Sequence, residues 1–94
     1  MHFIDLSMRN LEQGYADSLA LIAEVIGVAE LDSLAATARE VMLADPEDSL
    51  ELLDGILADA EGIAYDHGFH AFTRDGIQYV MTEREHDEHW NEGI

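Results

Sequence analysis

In FHAFTRDGIQYVMT, Phe69 to Thr82, two runs of alternating and aromatic residues flank the dipeptide Asp75-Gly76. Asp-Gly takes positive φ readily at both central positions of a tight turn, so the pair predicts a two-residue hairpin loop between strands at Phe69 to Thr73 and Ile77 to Thr82. The loop also sets a register. Phe72 then opposes Tyr79 and His70 opposes Met81, and these four share a face with Ile77 that is expected to pack on the rest of the chain. Because an isolated two-stranded hairpin is marginal in water, the residues ahead of it must supply a core.

Those residues read as helix. Leu11, Tyr15, Leu19, Ile22 and Ile26 keep one helical stripe, with Ser7 or Asn10 placed to cap its start and Gly27 its end. A second, shorter helix opens at LDSL, capped by Asp32 or Ser33, and turns Leu34, Ala38, Val41 and Met42 to the core. In ADPEDSLELLDGILADAEG, Asp45 reads as an N-cap, Pro46 as the first helical residue and Asp48 as a first-turn acid near the positive end of the helix dipole. Leu50, Leu53, Ile56, Leu57 and Ala60 face inward, and Gly62 ends the run. Beyond the hairpin, Thr82 and Glu85 have the spacing of a capping box, which starts a short last helix at Glu83 with His86, Trp90 and Ile94 on one face. The expectation is a single α+β domain over residues 1–94: a three-helix N-terminal region packed with a C-terminal β-hairpin, and a short final helix.

Charge narrows the function. The chain carries 21 Asp plus Glu against four Arg and no Lys, a net charge of −17, yet 48% of its residues are apolar, so it is expected to fold. So acidic a surface repels nucleic acid and anionic membranes, and its natural partners are basic proteins. No run of 18 apolar residues occurs and MHFIDLSMRN lacks the pattern of a leader, which predicts a soluble, cytoplasmic protein. A homodimer seam along the hairpin edges, or at Trp90 and Ile94, is left open by the pattern.

Catalytic motifs are not found. There is no cysteine, no Gly-x-Ser-x-Gly elbow, no phosphate-cradling glycine loop and no dinucleotide fingerprint, so neither an enzyme nor a cofactor is expected. His67 and His70 are three apart, as are His86 and His89, but on a strand that offset sends side chains to opposite faces, and Glu83-x-x-His86 is a single copy of a motif that di-iron sites use twice. No metal centre is expected. With a reference pKa of about 6.5, these histidines soften the local charge in mild acid.

The acids are unevenly spread. Residues 1–44 carry seven acids and two Arg, net −5; Asp45 to Asp66 carry eight acids and no base, net −8; His67 to Ile94 carry six acids and two Arg, net −4. Glu47, Glu51, Asp54 and Glu61 recur on one face of the third helix, flanked by Asp48 and Asp59. One turn spaces carboxylates about 5 to 6 Å along the axis, on the scale of phosphates along a nucleic-acid strand. Those six are the candidate partner-binding residues, with Glu85, Asp87 and Glu88 of the last helix as a second group.

DSLELLDGI, Asp48 to Ile56, resembles the acyl carrier protein site, where a serine at a helix start carries phosphopantetheine; the resemblance implies Ser49 as the modified residue. In small size, extreme acidity and helix-plus-hairpin pattern the whole chain resembles the phage-encoded DNA-mimic inhibitors, among them anti-CRISPR and antirestriction proteins. That resemblance rests on overall character, and it implies a non-enzymatic inhibitor that presents carboxylates to the basic groove of a DNA- or RNA-binding protein. An immunity module that neutralises a basic toxin is the alternative, and the acidic proteome of a halophile would leave the same face merely solvated.

Overall fold

Asp75 and Gly76 both hold positive φ, 54° and 78°, and the hairpin closes as the dipeptide dictates. The structure, a computed structural model, describes the backbone of residues 1–90 and side-chain environments as far as residue 88; the expectations placed on His89, Trp90 and Ile94 lie outside the described side chains. In chain order the elements are β1 (His2–Asp5), α1 (Leu11–Ile26), α2 (Ala29–Ala44), α3 (Ser49–Asp66), β2 (Phe69–Arg74), β3 (Ile77–Thr82) and α4 (Glu83–Trp90). This is the expected α+β class, with one strand more than the hairpin alone. β1 pairs antiparallel with β3, so the sheet order is β1-β3-β2 and the hairpin gains a third strand. The Leu6 amide donates to the Gly76 carbonyl at 2.8 Å, tying the end of β1 to the hairpin turn.

The hairpin register is the expected one, with Phe72 opposite Tyr79 and His70 opposite Met81. Its orientation is reversed. Val80 joins the buried core formed with α1, α2 and α3, and Phe69 and Ala71 pack against that core, so the helices cover the face of Phe69, Ala71, Gln78 and Val80. His70, Phe72, Tyr79 and Met81 look the other way, where α4 lies: the His86 ring stacks on His70 at 4.1 Å and meets Phe72 edge-on at 5.9 Å. Alternation defines two faces without naming the inner one. The flatter face, with Ala71 opposite Val80, took the helices, and the aromatic face is filled by its own rings, Phe72 on Tyr79 at 5.4 Å and Phe3 on Tyr79 at 6.2 Å.

Three helix boundaries also differ from expectation. Asn10 caps α1 through its side chain, accepting from the Gln13 amide at 2.8 Å, and Gly27 ends the helix in the left-handed region at φ 73°. α2, however, starts at Ala29 with no side-chain cap and runs 16 residues, so Asp32 lies in its first turn, Ser33 just beyond it, and the helix is as long as α1. Asp45 does not open α3. It closes α2 in a left-handed conformation at φ 48°, donating its amide to the Val41 carbonyl, and Pro46 to Asp48 form a turn before α3 begins at Ser49. Gly62 is passed without a break. Helical spacing of Ala60 and Ala64 against the core holds α3 together to Asp66, and Gly68, at φ 84°, makes the exit into β2.

α4 begins with the expected capping box. The Glu85 amide donates to Thr82 Oγ1 at 3.2 Å and the Thr82 amide donates to Glu85 Oε1 at 3.0 Å. Glu85 Oε2 also accepts from the amino group of Met1, and these bonds, the ammonium one first and the Thr82 amide second, hold its carboxyl at about 2. A depressed carboxylate contributes its stability above the ordinary value of 4.5 and loses it as pH falls toward 2. The protection of the α4 amides, taken against the intrinsic exchange rate at each pH, is therefore expected to fall between about pH 4.5 and 2, and Glu85→Gln to show that lower protection already at neutral pH. Equal protection of α4 in both proteins at pH 7 would show that Glu85 does not hold the helix.

Candidate functional site

α3 lies in the helical layer with one side packed and the other open. Leu53, Leu57, Ala60 and Ala64 face the core, and Glu51, Asp54 and Asp59 are exposed. Glu47 and Asp48 stand in the turn just ahead, so they extend the acidic face without being part of the helix. Helical geometry places Asp54 and Glu61 along the flank beside α1 and Glu51 on the solvent side, while Asp59 falls on the opposite flank, in a shallow depression with Asp66, Leu34 and Tyr65. Ion pairs among the described residues join Met1 to Glu85, Arg9 to Asp17 and Arg84 to Glu88, and none reaches a carboxylate of α3.

The α4 acids are a separate group. This helix packs on the outer face of the sheet, and two of its three candidates are already engaged: Glu85 in the capping box and with Met1, Glu88 with Arg84 Nε at 3.2 Å. Asp87 is exposed and sits 3.8 Å from His86 Nδ1, a buried atom with no hydrogen-bond partner among the described residues. The stacked, near-parallel rings of His70 and His86, 11° apart, present faces to each other rather than nitrogens to a common point. Ser49, the residue singled out by the carrier-protein resemblance, is 6% exposed at the start of α3, a burial that disfavours attachment of a prosthetic arm.

Between α1, α3 and the hairpin turn lies a cleft of about 650 Å³, lined among others by Leu11, Tyr15, Ser18, Asp54, Leu57 and Glu61. The Tyr15 hydroxyl donates to Asp54 Oδ1 at 3.2 Å. Burial, then the charge of Asp54 and that hydrogen bond, push the Tyr15 phenol above its ordinary value. Half-buried Glu61 is also pushed up, by burial first and by the charge of Asp54 second. Thus two candidates from the acidic face, Asp54 and Glu61, converge on a concave site. Tyr15 was legible only as part of the helical stripe, and Ser18 lies beside that stripe. Their three-residue spacing puts two polar tips on one side of α1, but the sequence separation of 39 between Tyr15 and Asp54 hides the meeting from local pattern.

The chain matches no protein-family model, no curated protein and no solved structure. Among the described residues no helix is long and apolar enough to cross a membrane.

Proposed function

We propose that the protein is a non-enzymatic, cytoplasmic inhibitor that lays the acidic face of α3 in the basic groove of a DNA- or RNA-binding protein, with a CRISPR or restriction complex of bacterial anti-phage defence as the target class. One observation supports this above the others: the carboxylates of Glu47, Asp48, Glu51, Asp59 and Glu61 stand on and beside one helix with no ion pair among the described residues, in a chain of net charge −17 without a single Lys. Like charges at one-turn spacing destabilise a helix by about 0.2–0.5 kcal/mol per pair. A basic groove removes that repulsion on binding, and long-range attraction speeds the encounter.

The test is displacement of DNA. The protein is titrated into purified restriction and CRISPR effector complexes bound to labelled target DNA. The expected result is stoichiometric loss of DNA binding by one of them, with affinity for that complex falling at least about tenfold between 50 and 300 mM salt. Full retention of DNA by every complex at a large excess of the protein, even at low salt, overturns the reading. A toxin-neutralising immunity module would bind one basic enzyme without displacing its nucleic acid.

A further inference from the structure

The cleft beside α3 has a chemistry that the open acidic face lacks. Asp54 and Glu61 lie seven residues apart on α3, two turns or about 10.5 Å along its axis, and both line the cleft. Leu11 and Leu57 supply an apolar wall, and Tyr15 lines it too. The Tyr15 hydroxyl, bonded to Asp54 at 3.2 Å, holds its ring in place. Ser18, only 1% exposed, also lines the cleft. Arg9 also lines it, but its guanidinium is held by Asp17 and by the Asp5 carbonyl. Among the described residues no cation pairs with Asp54 or Glu61.

We propose that this cleft receives one arginine side chain of the basic partner, its stem along Leu11 and Leu57 and its guanidinium between Asp54 and Glu61. The inference rests on the reading that the partner is a basic protein, and it names the residue type that anchors it. Arginine fits better than lysine for three reasons. Its planar fork carries five N–H donors, enough for two carboxylates and the Ser18 hydroxyl; it lies flat on aromatic rings; and it is more weakly hydrated, so it enters a half-enclosed site more readily. The raised affinity of Glu61 for a proton has the same origin, since a half-buried carboxylate beside Asp54 favours any positive charge brought to it.

The probe is Nα-acetyl-arginine amide, titrated into isotopically labelled protein and followed by amide chemical shifts, with the lysine and citrulline amides as controls. Saturable shifts are expected at Tyr15, Ser18, Asp54 and Glu61, with citrulline, the uncharged analogue, binding at least about tenfold more weakly than arginine. Glu61→Gln, which keeps the shape and removes one charge, is expected to weaken arginine binding about fivefold, and Glu51→Gln, the same change outside the cleft on the same helix, to leave it within about twofold. Equal weakening by both variants, equal binding of citrulline, or shifts scattered over the whole acidic surface would each overturn the proposal. The assay contains no nucleic acid and no target. A cleft that saturates with arginine in a protein that displaces no DNA keeps the guanidinium site and removes the mimicry; displacement of DNA that Glu61→Gln leaves untouched does the reverse.

Discussion

Replacing Glu47 and Glu51 by Gln and Asp54 by Asn is expected to weaken inhibition about 100-fold while leaving the melting temperature nearly unchanged. The binding loss follows from three solvent-facing ion pairs at about 1 kcal/mol each, which together amount to about two factors of ten in affinity. The stability change is small. None of the three carboxylates has an ion pair among the described residues, and removing like charges from the start of α3 relieves about 0.2–0.5 kcal/mol per pair, which offsets the loss of the Glu51 charge from the first turn, where it meets the positive end of the helix dipole. Asn at position 54 retains an oxygen that accepts from Tyr15, which preserves the contact between α1 and α3 seen at 3.2 Å. The checks are the concentration needed for half-displacement of DNA and a thermal melt of each protein. A variant that melts as the parent and inhibits as the parent would remove this face from the mechanism; one that melts much lower would show that the acids hold the fold.

The contrast between lost binding and kept stability matters because it separates two explanations of an acidic surface. A halophilic or merely solvated face has no reason to concentrate unpaired carboxylates on one helix, and its neutralisation changes neither binding nor much else. A binding face keeps repulsion that its partner later removes. Glu61 carries this tension furthest, since its folded environment raises the carboxyl above its ordinary value through burial and through Asp54. Such a group costs stability as pH rises through its shifted pKa, and the free protein gains stability from it in mild acid.

How much of this was legible depends on how local each signal is. Asp75-Gly76 and the Thr82-Glu85 box are decided within four residues, and both hold as expected. Asp45-Pro46 is local too but ambiguous: an acid before proline can open a helix or, as here, close the preceding one with Asp45 in the left-handed region. β1 could not be seen from its own sequence, because four residues with three exposed make no pattern; it exists because β3 offers an edge to pair with. The inner face of the hairpin was likewise undecided by alternation. The acidic face was visible because it is set by composition and helical period, whereas the cleft that gives it shape needs Tyr15 and Asp54 brought together from distant segments.

Gln78→Leu is expected to cost about 2–4 kcal/mol, a drop of roughly 10–25 °C in melting temperature for a domain of this size. Gln78 is fully buried, 0% exposed, on the helix-facing side of the central strand. Every hydrogen-bonding group of its amide has a partner: Thr73 Oγ1 donates to its Oε1 at 2.8 Å, and its Nε2 donates to the carbonyls of Phe72 and Tyr79, each at 3.1 Å. Leucine fills much of the space and returns none of these bonds, leaving the Thr73 hydroxyl without its acceptor and two carbonyls with one fewer donor. Gln78→Met, closer in length, is expected to be nearly as costly, which separates lost bonds from lost volume. The same network bears on which face of the hairpin turns inward. Slipping β3 by one residue would carry the Gln78 amide away from Thr73 and bring Ile77 and Tyr79 to the helices, a competing arrangement that an apolar residue at 78 no longer penalises. Strand-pairing contacts measured by NMR in the Leu variant are therefore expected to show a mixture of registers rather than one. A variant that melts within about 3 °C of the parent with β3 in its original register would mean that Gln78 is accommodated in the core and does not help to specify it.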